Sequence, residues 1–197
     1  MTDYRSESSI GARIKATRRQ RGYRTTRELA EAMPGSHLTE SILENIESGR
    51  KADPAISQLL NIARALAIPA SFLLAPMGTP DAELDLPNLG DTFNGMSAGE
   101  FDSWLAAIPT SGYRSSIAAE RSDIDQLNAL RELQTQRREI QRLRAVAQVQ
   151  SESDDKDLDA ALPVTNKRLT SAVSAARLLE DFLRSAGWAV DQTEATE

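Results

Sequence analysis

The chain has 197 residues, no cysteine, one histidine and a formal net charge of −6. Disulfide and thiol chemistry are excluded, as are the common multi-histidine metal sites, and no apolar run reaches the length of a transmembrane helix or forms a signal-peptide core near the N-terminus. Aromatic residues make up only 5% and β-branched alternation is nearly absent, so the composition predicts an all-α, cytoplasmic protein.

Met1 to Ser9 is polar and expected to fray. Ile10 to Arg21 reads as a helix, with Ile10, Ile14 and Thr17 inward, Arg13, Lys15, Arg19 and Arg21 outward, and Gly22 as its stop. Thr25, with Glu28 three residues on, has the form of a capping box and opens a second helix carrying Leu29, Ala30 and Met33 on one face. Met33-Pro34-Gly35-Ser36 breaks the chain, and Thr39 caps a third helix that ends at Gly49. Ile42, Leu43 and Ile46 form its apolar back, leaving Glu40, Ser41, Glu44, Asn45 and Ser48 on the other side. Two readings stand at this point. One is a helix-turn-helix whose second helix enters a DNA major groove; the other is a pair of ordinary amphipathic helices in a bundle. Arg50-Lys51 follows as either a phosphate contact or a solvated loop. Asp53-Pro54 opens a strongly apolar fourth helix with Ile56, Leu59, Leu60, Ile62, Ala63 and Leu66, and Pro69 ends it. Ala70 to Leu74 makes a fifth, closing the core with Phe72 and Leu73.

The segments IGARIKATRRQRG, ELAEAM, LTESILENIESGRKADP and LLNIARALAIPASFLL together resemble the Cro/C1-type (XRE) helix-turn-helix family over residues 10–75, about a third of the chain. Gly11, Arg18, Gly22, Leu29-Ala30, Ile46-Glu47-x-Gly49, Pro54 and Ala65-Leu66 carry the resemblance. It implies a five-helix, lambda-repressor-like head. By this resemblance Arg18 and Glu47 form a structural salt bridge between the first and third helices. Thr25, Thr26 and Arg27 are implied backbone contacts, to which the basic residues Arg19, Arg50 and Lys51 add further candidates by their position alone, and Glu40, Ser41, Glu44 and Asn45 occupy base-reading positions. Asn45 suits adenine, and a glutamate suits a cytosine amino group. The sequence departs from the family in two places: the turn from Met33 to Leu38 is longer, and the third helix is acidic, which costs affinity beside phosphates.

Proline, glycine and aspartate make residues 77–96 a linker. Ser97-x-x-Glu100 is another capping box, opening a short helix with Phe101, Trp104, Leu105 and Ile108 on one side, to dock on the head or on the tail. Pro109 and Gly112 end it. Residues 115–150 read as one long helix of about 50 Å. Ile117, Ile124 and Leu127 follow one heptad, Leu133, Ile140, Leu143 and Ala147 another, with a stammer at Leu130. This predicts either an imperfect dimeric coiled coil or a helix packed on its own chain's last helix. The basic run Arg131, Arg137, Arg138, Arg142 and Arg144 reads as a solvated face. An acidic loop spans 151–162. The final helix, 163–187, carries Leu169, Val173, Ala176, Leu179 and Leu183 and calls for a helical hairpin within one chain or across a dimer. A polar tail follows from Asp191. The domains are thus 1–76, the linker 77–96, and an oligomerisation or partner region, 97–197.

Charge is unevenly spread: residues 1–76 hold 11 Lys/Arg against 8 Asp/Glu, a net +3, and the remainder holds 12 against 21, a net −9. A basic head on an acidic body fits a local nucleic-acid footprint. No HExxH, phosphate-binding loop or GxSxG occurs, and the tail has no strand pattern for a self-cleaving Ser–Lys domain, so neither catalysis, cofactor nor metal is expected. His37 lies in the turn as a surface residue. The sequence therefore predicts a DNA-binding transcriptional regulator, a repressor of phage-immunity or host type, acting on double-stranded DNA as a homodimer joined through its tail. The other reading is a protein-interaction module, antitoxin-like, whose acidic tail meets a protein partner. Neither involves a membrane.

Overall fold

The computed structural model describes residues 3–108, 113–153 and 155–193. Among these the chain is all-helical apart from turns and one isolated bridge between Glu83 and Ser97. No helix is long and apolar enough to cross a membrane. The chain divides into two compact units, one running to Ala106 and the other taking in everything from Arg114.

The first unit opens with a 3-10 turn, Tyr4–Ser6, whose Tyr4 is buried and sits 6.3 Å from the Phe72 ring. The N-terminal stretch is thus anchored from Tyr4 onward, where fraying was expected. Helices α1 (Ile10–Gln20), α2 (Thr26–Glu31), α3 (Glu40–Glu47), α4 (Ile56–Ala65) and α5 (Ser71–Leu74) follow. Ser9, Thr25 and Thr39 cap the first three by accepting from the backbone N–H three residues on, satisfying an orphan donor in each case. Ile14, Leu29, Leu43, Ile46, Ile62, Leu66 and Leu73 make the shared core. Helix α4 starts two residues later than Pro54 suggests, and two of its six apolar residues point outward: Ile56 and Leu60 are 78% and 52% exposed.

Residues 77–96, expected to be a free linker, pack on this core instead. Leu86 joins it, and Leu84, Phe93 and Met96 form a smaller cluster with Phe101 and Trp104. The Ser97–Glu100 capping box opens α6 (Ala98–Leu105), which lies in the same unit as the head and not with the tail. Arg13 holds the arrangement together. Expected on the outer face of α1, it is fully buried, because all its donors are taken. Its guanidinium forks onto Asp85 at 2.8 Å and 2.8 Å and donates to the carbonyls of Glu7, Leu73 and Leu74. The last two belong to the C-terminal turn of α5, where carbonyls lack helical donors and a cation is favoured.

In the second unit α7 (Ala118–Ser151) and α8 (Lys156–Ser185) pair as an antiparallel hairpin. The heptad residues Leu133, Ile140 and Leu143 are buried against Leu169, Val173, Ala176 and Leu183 of the same chain. That apolar seam is consumed internally and is not free to form a coiled coil with a second chain. Helix α8 begins at Lys156, so much of the acidic 151–162 stretch is helical: Asp155 caps it, accepting from Asp157 N–H at 2.9 Å. Pro163 therefore sits inside the helix, lacking an N–H to donate. After Gly187 the chain turns back. Trp188 donates to Gln126 at 2.7 Å, and the fully buried Glu180 accepts from Thr193 N–H at 2.9 Å and from Arg137 at 3.0 Å. Residues 188–193, expected in part as a loose polar tail, form a strap along the hairpin.

Candidate nucleic-acid interface

The site is built on α3, and two contacts fix α3 against α1. Gly11 meets the backbone of Ile46: a Cβ at Gly11 would lie 2.1 Å from the Ile46 carbonyl oxygen. No side chain fits between the two helices there. At the next residue of α3, Glu47 takes a bidentate fork from Arg18, at 2.6 Å and 2.8 Å. Arg18 also donates to the carbonyls of Tyr23 and Arg24, tying down the chain just ahead of α2. Both side chains are nearly closed to solvent, 5% and 6% exposed, and the hydrogen bond to Glu47 raises the Arg18 pKa above its ordinary value. Glu47 is thus occupied by the protein itself.

The turn before α3 is long but ordered. Residues 32–39 separate the helices, and Met33 and Leu38 are buried in the core. Ser36 clasps the bend, its hydroxyl donating to the Met33 carbonyl at 2.7 Å and accepting from Leu38 N–H at 3.3 Å. His37 is exposed and takes a positive φ of 56°. After α3, Gly49 adopts φ 77°, a left-handed value that suits glycine, and the chain turns so that Lys51 N–H reaches the Asn45 carbonyl at 2.8 Å.

With its back so held, α3 turns Glu40, Ser41 and Glu44 to solvent, and Asn45 is half-buried. An open cleft of about 540 Å³ runs between α1, the start of α2 and α3. It gathers Thr25, Thr26, Glu40, Glu44 and Arg50 with the Arg18–Glu47 pair, and adds Lys15 and Ser48. Ser41, Asn45, Arg19, Arg27 and Lys51 lie outside its lining. Lys15, expected on the outer face of α1, lies three residues before Arg18, on the same side of the helix. Thr26, proposed as a backbone contact, is buried at 9% exposure; Thr25 beside it is exposed. Arg27 is exposed but paired to Glu31 at 2.9 Å, and Lys51 donates to Gln58 at 2.7 Å.

Electrostatically the cleft is balanced. Once Arg18 and Glu47 cancel, Lys15 and Arg50 face Glu40 and Glu44. The charge of the whole unit also differs from the sequence-based division. Residues 77–106 add six acids and no base, so the stretch to Ala106 holds 11 Lys/Arg against 14 Asp/Glu, a net −3. One of the added acids, Asp85, is neutralised by Arg13, and another, Glu100, caps α6. The chain matches no protein-family model, no curated protein and no solved structure. The likeness to the Cro/C1-type family therefore rests on the residues themselves.

Proposed function

We propose that the chain is a sequence-specific DNA-binding transcriptional regulator of the Cro/C1-type, with a five-helix head that inserts α3 of a helix-turn-helix into the major groove. The observation that carries this reading is the division of labour on α3. Its apolar side and Glu47 are committed to α1 and the core, while Glu40, Ser41, Glu44 and Asn45 are left at its outer side with no hydrogen bond or ion pair from their side chains among the described contacts. Asn45 and Ser41 supply base-edge hydrogen bonds, and a glutamate accepts from a cytosine amino group, which turns the acidic face into a selective one. Lys15, Arg19, Thr25 and Arg50 track phosphates, and Arg27 and Lys51 do so by exchanging their present partners for a phosphate oxygen. A repressor acting as a dimer on two half-sites one helical turn apart fits this layout.

A second reading, a protein-binding regulator, is favoured by one observation: the cleft beside α3 carries as many free carboxylates as free cations. The two separate by experiment. Selection from a random duplex library at low salt, followed by anisotropy on the winner, should return a defined site whose affinity falls steeply with salt. Ser41→Ala and Asn45→Ala should each weaken it by about tenfold, within the range of one good base contact. Failure to enrich any sequence at low salt overturns the DNA reading in favour of the protein-binding one.

A further inference from the structure

We infer that the uncovered face of the α7–α8 hairpin is a self-association surface, joining two copies of this chain through an antiparallel α8–α8 contact. The inference rests on the dimeric half of the function proposed above and specifies where that dimer forms.

Helix α8 carries two stripes that bear large apolar residues. One is the buried seam against α7. The other is Val164, Arg168, Ser171, Ala175, Leu178 and Phe182, about a third of a turn away around the helix. Its large apolar members are open to solvent: Val164 is 63% exposed, Leu178 72% and Phe182 45%. The two sides of the hairpin are unequal. Arg137 and Glu180, which hold the C-terminal strap, lie to one side of the seam. Glu139, Arg168 and Ala175 lie to the other, lining a shallow groove with no strap over it. A two-helix layer with one bare side has half of a bundle core, and a second such layer completes it.

Two features commit the occupant to a second copy. The first is register. The stripe steps by 4, 3, 4, 3 and 4 residues, which reads the same in both directions. An antiparallel partner therefore sets Val164 against Phe182, Arg168 against Leu178 and Ser171 against Ala175, with every position faced. The pair at the centre is small, so the helices approach closely there, and the large apolar groups close both ends. Such a self-complementary patch is what a two-fold interface requires.

The second is charge. Arg168 meets Glu139 at 3.3 Å, which shows which residues lie level on the two helices within the chain. Seven residues back on α7, two helical turns away, Glu132 falls on the same side of that helix as Glu139. Glu132 accepts from Gln136 but forms no ion pair among the described residues. The antiparallel register brings Arg168 of the second copy within a turn of it, giving unlike charges at two symmetric places.

The test is the mass of the full chain by sedimentation velocity at micromolar concentration, with helicity and melting checked by circular dichroism. The expected mass is twice the 21.5 kDa of one chain. Leu178→Asp and Phe182→Asp, both at exposed positions, should each raise the dimer dissociation constant about thirtyfold or more with the fold intact. Val149→Asp alters an apolar residue that is 63% exposed but lies off this face, and should leave the dimer unchanged. A monomeric full chain, a dimer indifferent to Leu178→Asp and Phe182→Asp, or a dimer broken equally by Val149→Asp overturns the inference. DNA binding is scored separately on the same samples. A dimer that binds no duplex supports this surface while removing the DNA reading; a monomer that binds duplex does the reverse.

Discussion

Helix α3 of the head and helix α8 of the tail are both amphipathic, yet they end their packing differently. On α3 the apolar residues Leu43 and Ile46 are consumed by the core, Ile42 packs at its edge, and what remains outside is polar. On α8 one stripe is consumed and a second, with Leu178 and Phe182, remains outside. A helix with a single apolar stripe finishes its folding within its own chain and is free to offer hydrogen bonds to a polar ligand. A helix with two needs another protein surface. On the two proposals above, the first helix would recognise a polar partner and the second would serve assembly.

The contrast breaks most easily where α3 is seated. Arg18→Ala leaves Glu47 buried without its partner and should cost about 3–5 kcal/mol, read as a fall in the head's melting transition. Gly11→Ala should be of similar size, since the obstacle is the Ile46 backbone and cannot swing aside. Asp85→Ala comes next. It strands the buried Arg13, but Asp85 is 23% exposed, so water reaches the site, and a loss of about 2–3 kcal/mol is expected together with easier proteolysis of residues 77–96. In the tail, Glu180 supplies a smaller, pH-dependent effect. Burial pushes its carboxyl up, but hydrogen bonds from Thr193 and the Arg137 guanidinium outweigh that and hold its pKa below the ordinary value. A lowered folded-state pKa stabilises above the unfolded value, near the ordinary carboxylate range, and the gain is lost as pH falls through the folded one. Trp188 fluorescence and hydrogen exchange should therefore show the strap loosening only in acid. Glu180→Gln should loosen it at neutral pH and flatten that pH dependence. Smallest of all, Arg27→Ala should leave stability unchanged, because the Arg27–Glu31 pair is solvent-exposed and screened.

Local chemistry was legible in the sequence wherever neighbours in sequence are partners in space. Thr25, Thr39 and Ser97 announce their helix starts because a cap needs only the residue three positions on. Arg18 and Glu47 were readable only through the family resemblance, since 29 residues separate them. Arg13 and Asp85 are 72 residues apart and match no such pattern, so a buried arginine passed for a surface one and a latched segment for a linker. The apolar count of α4 could not show which residues face inward, as Ile56 and Leu60 share the helix with Leu59 and Ile62. On α7 the heptads identified the buried seam, but periodicity alone does not say whether the opposing helix comes from the same chain. Pro163 pointed to a helix start; the Asp155 cap moved that start to Lys156.

The central claim is that the outer side of α3 reads a duplex. Its most direct test is anisotropy on the selected duplex with full-length protein and with Asn45→Ala, at two salt concentrations, on samples of matched melting temperature. The account predicts affinity that drops steeply with salt, and a loss of about tenfold for Asn45→Ala on that site with little change on unrelated DNA. Equal affinity for both proteins on every sequence, or no binding at low salt, would contradict it.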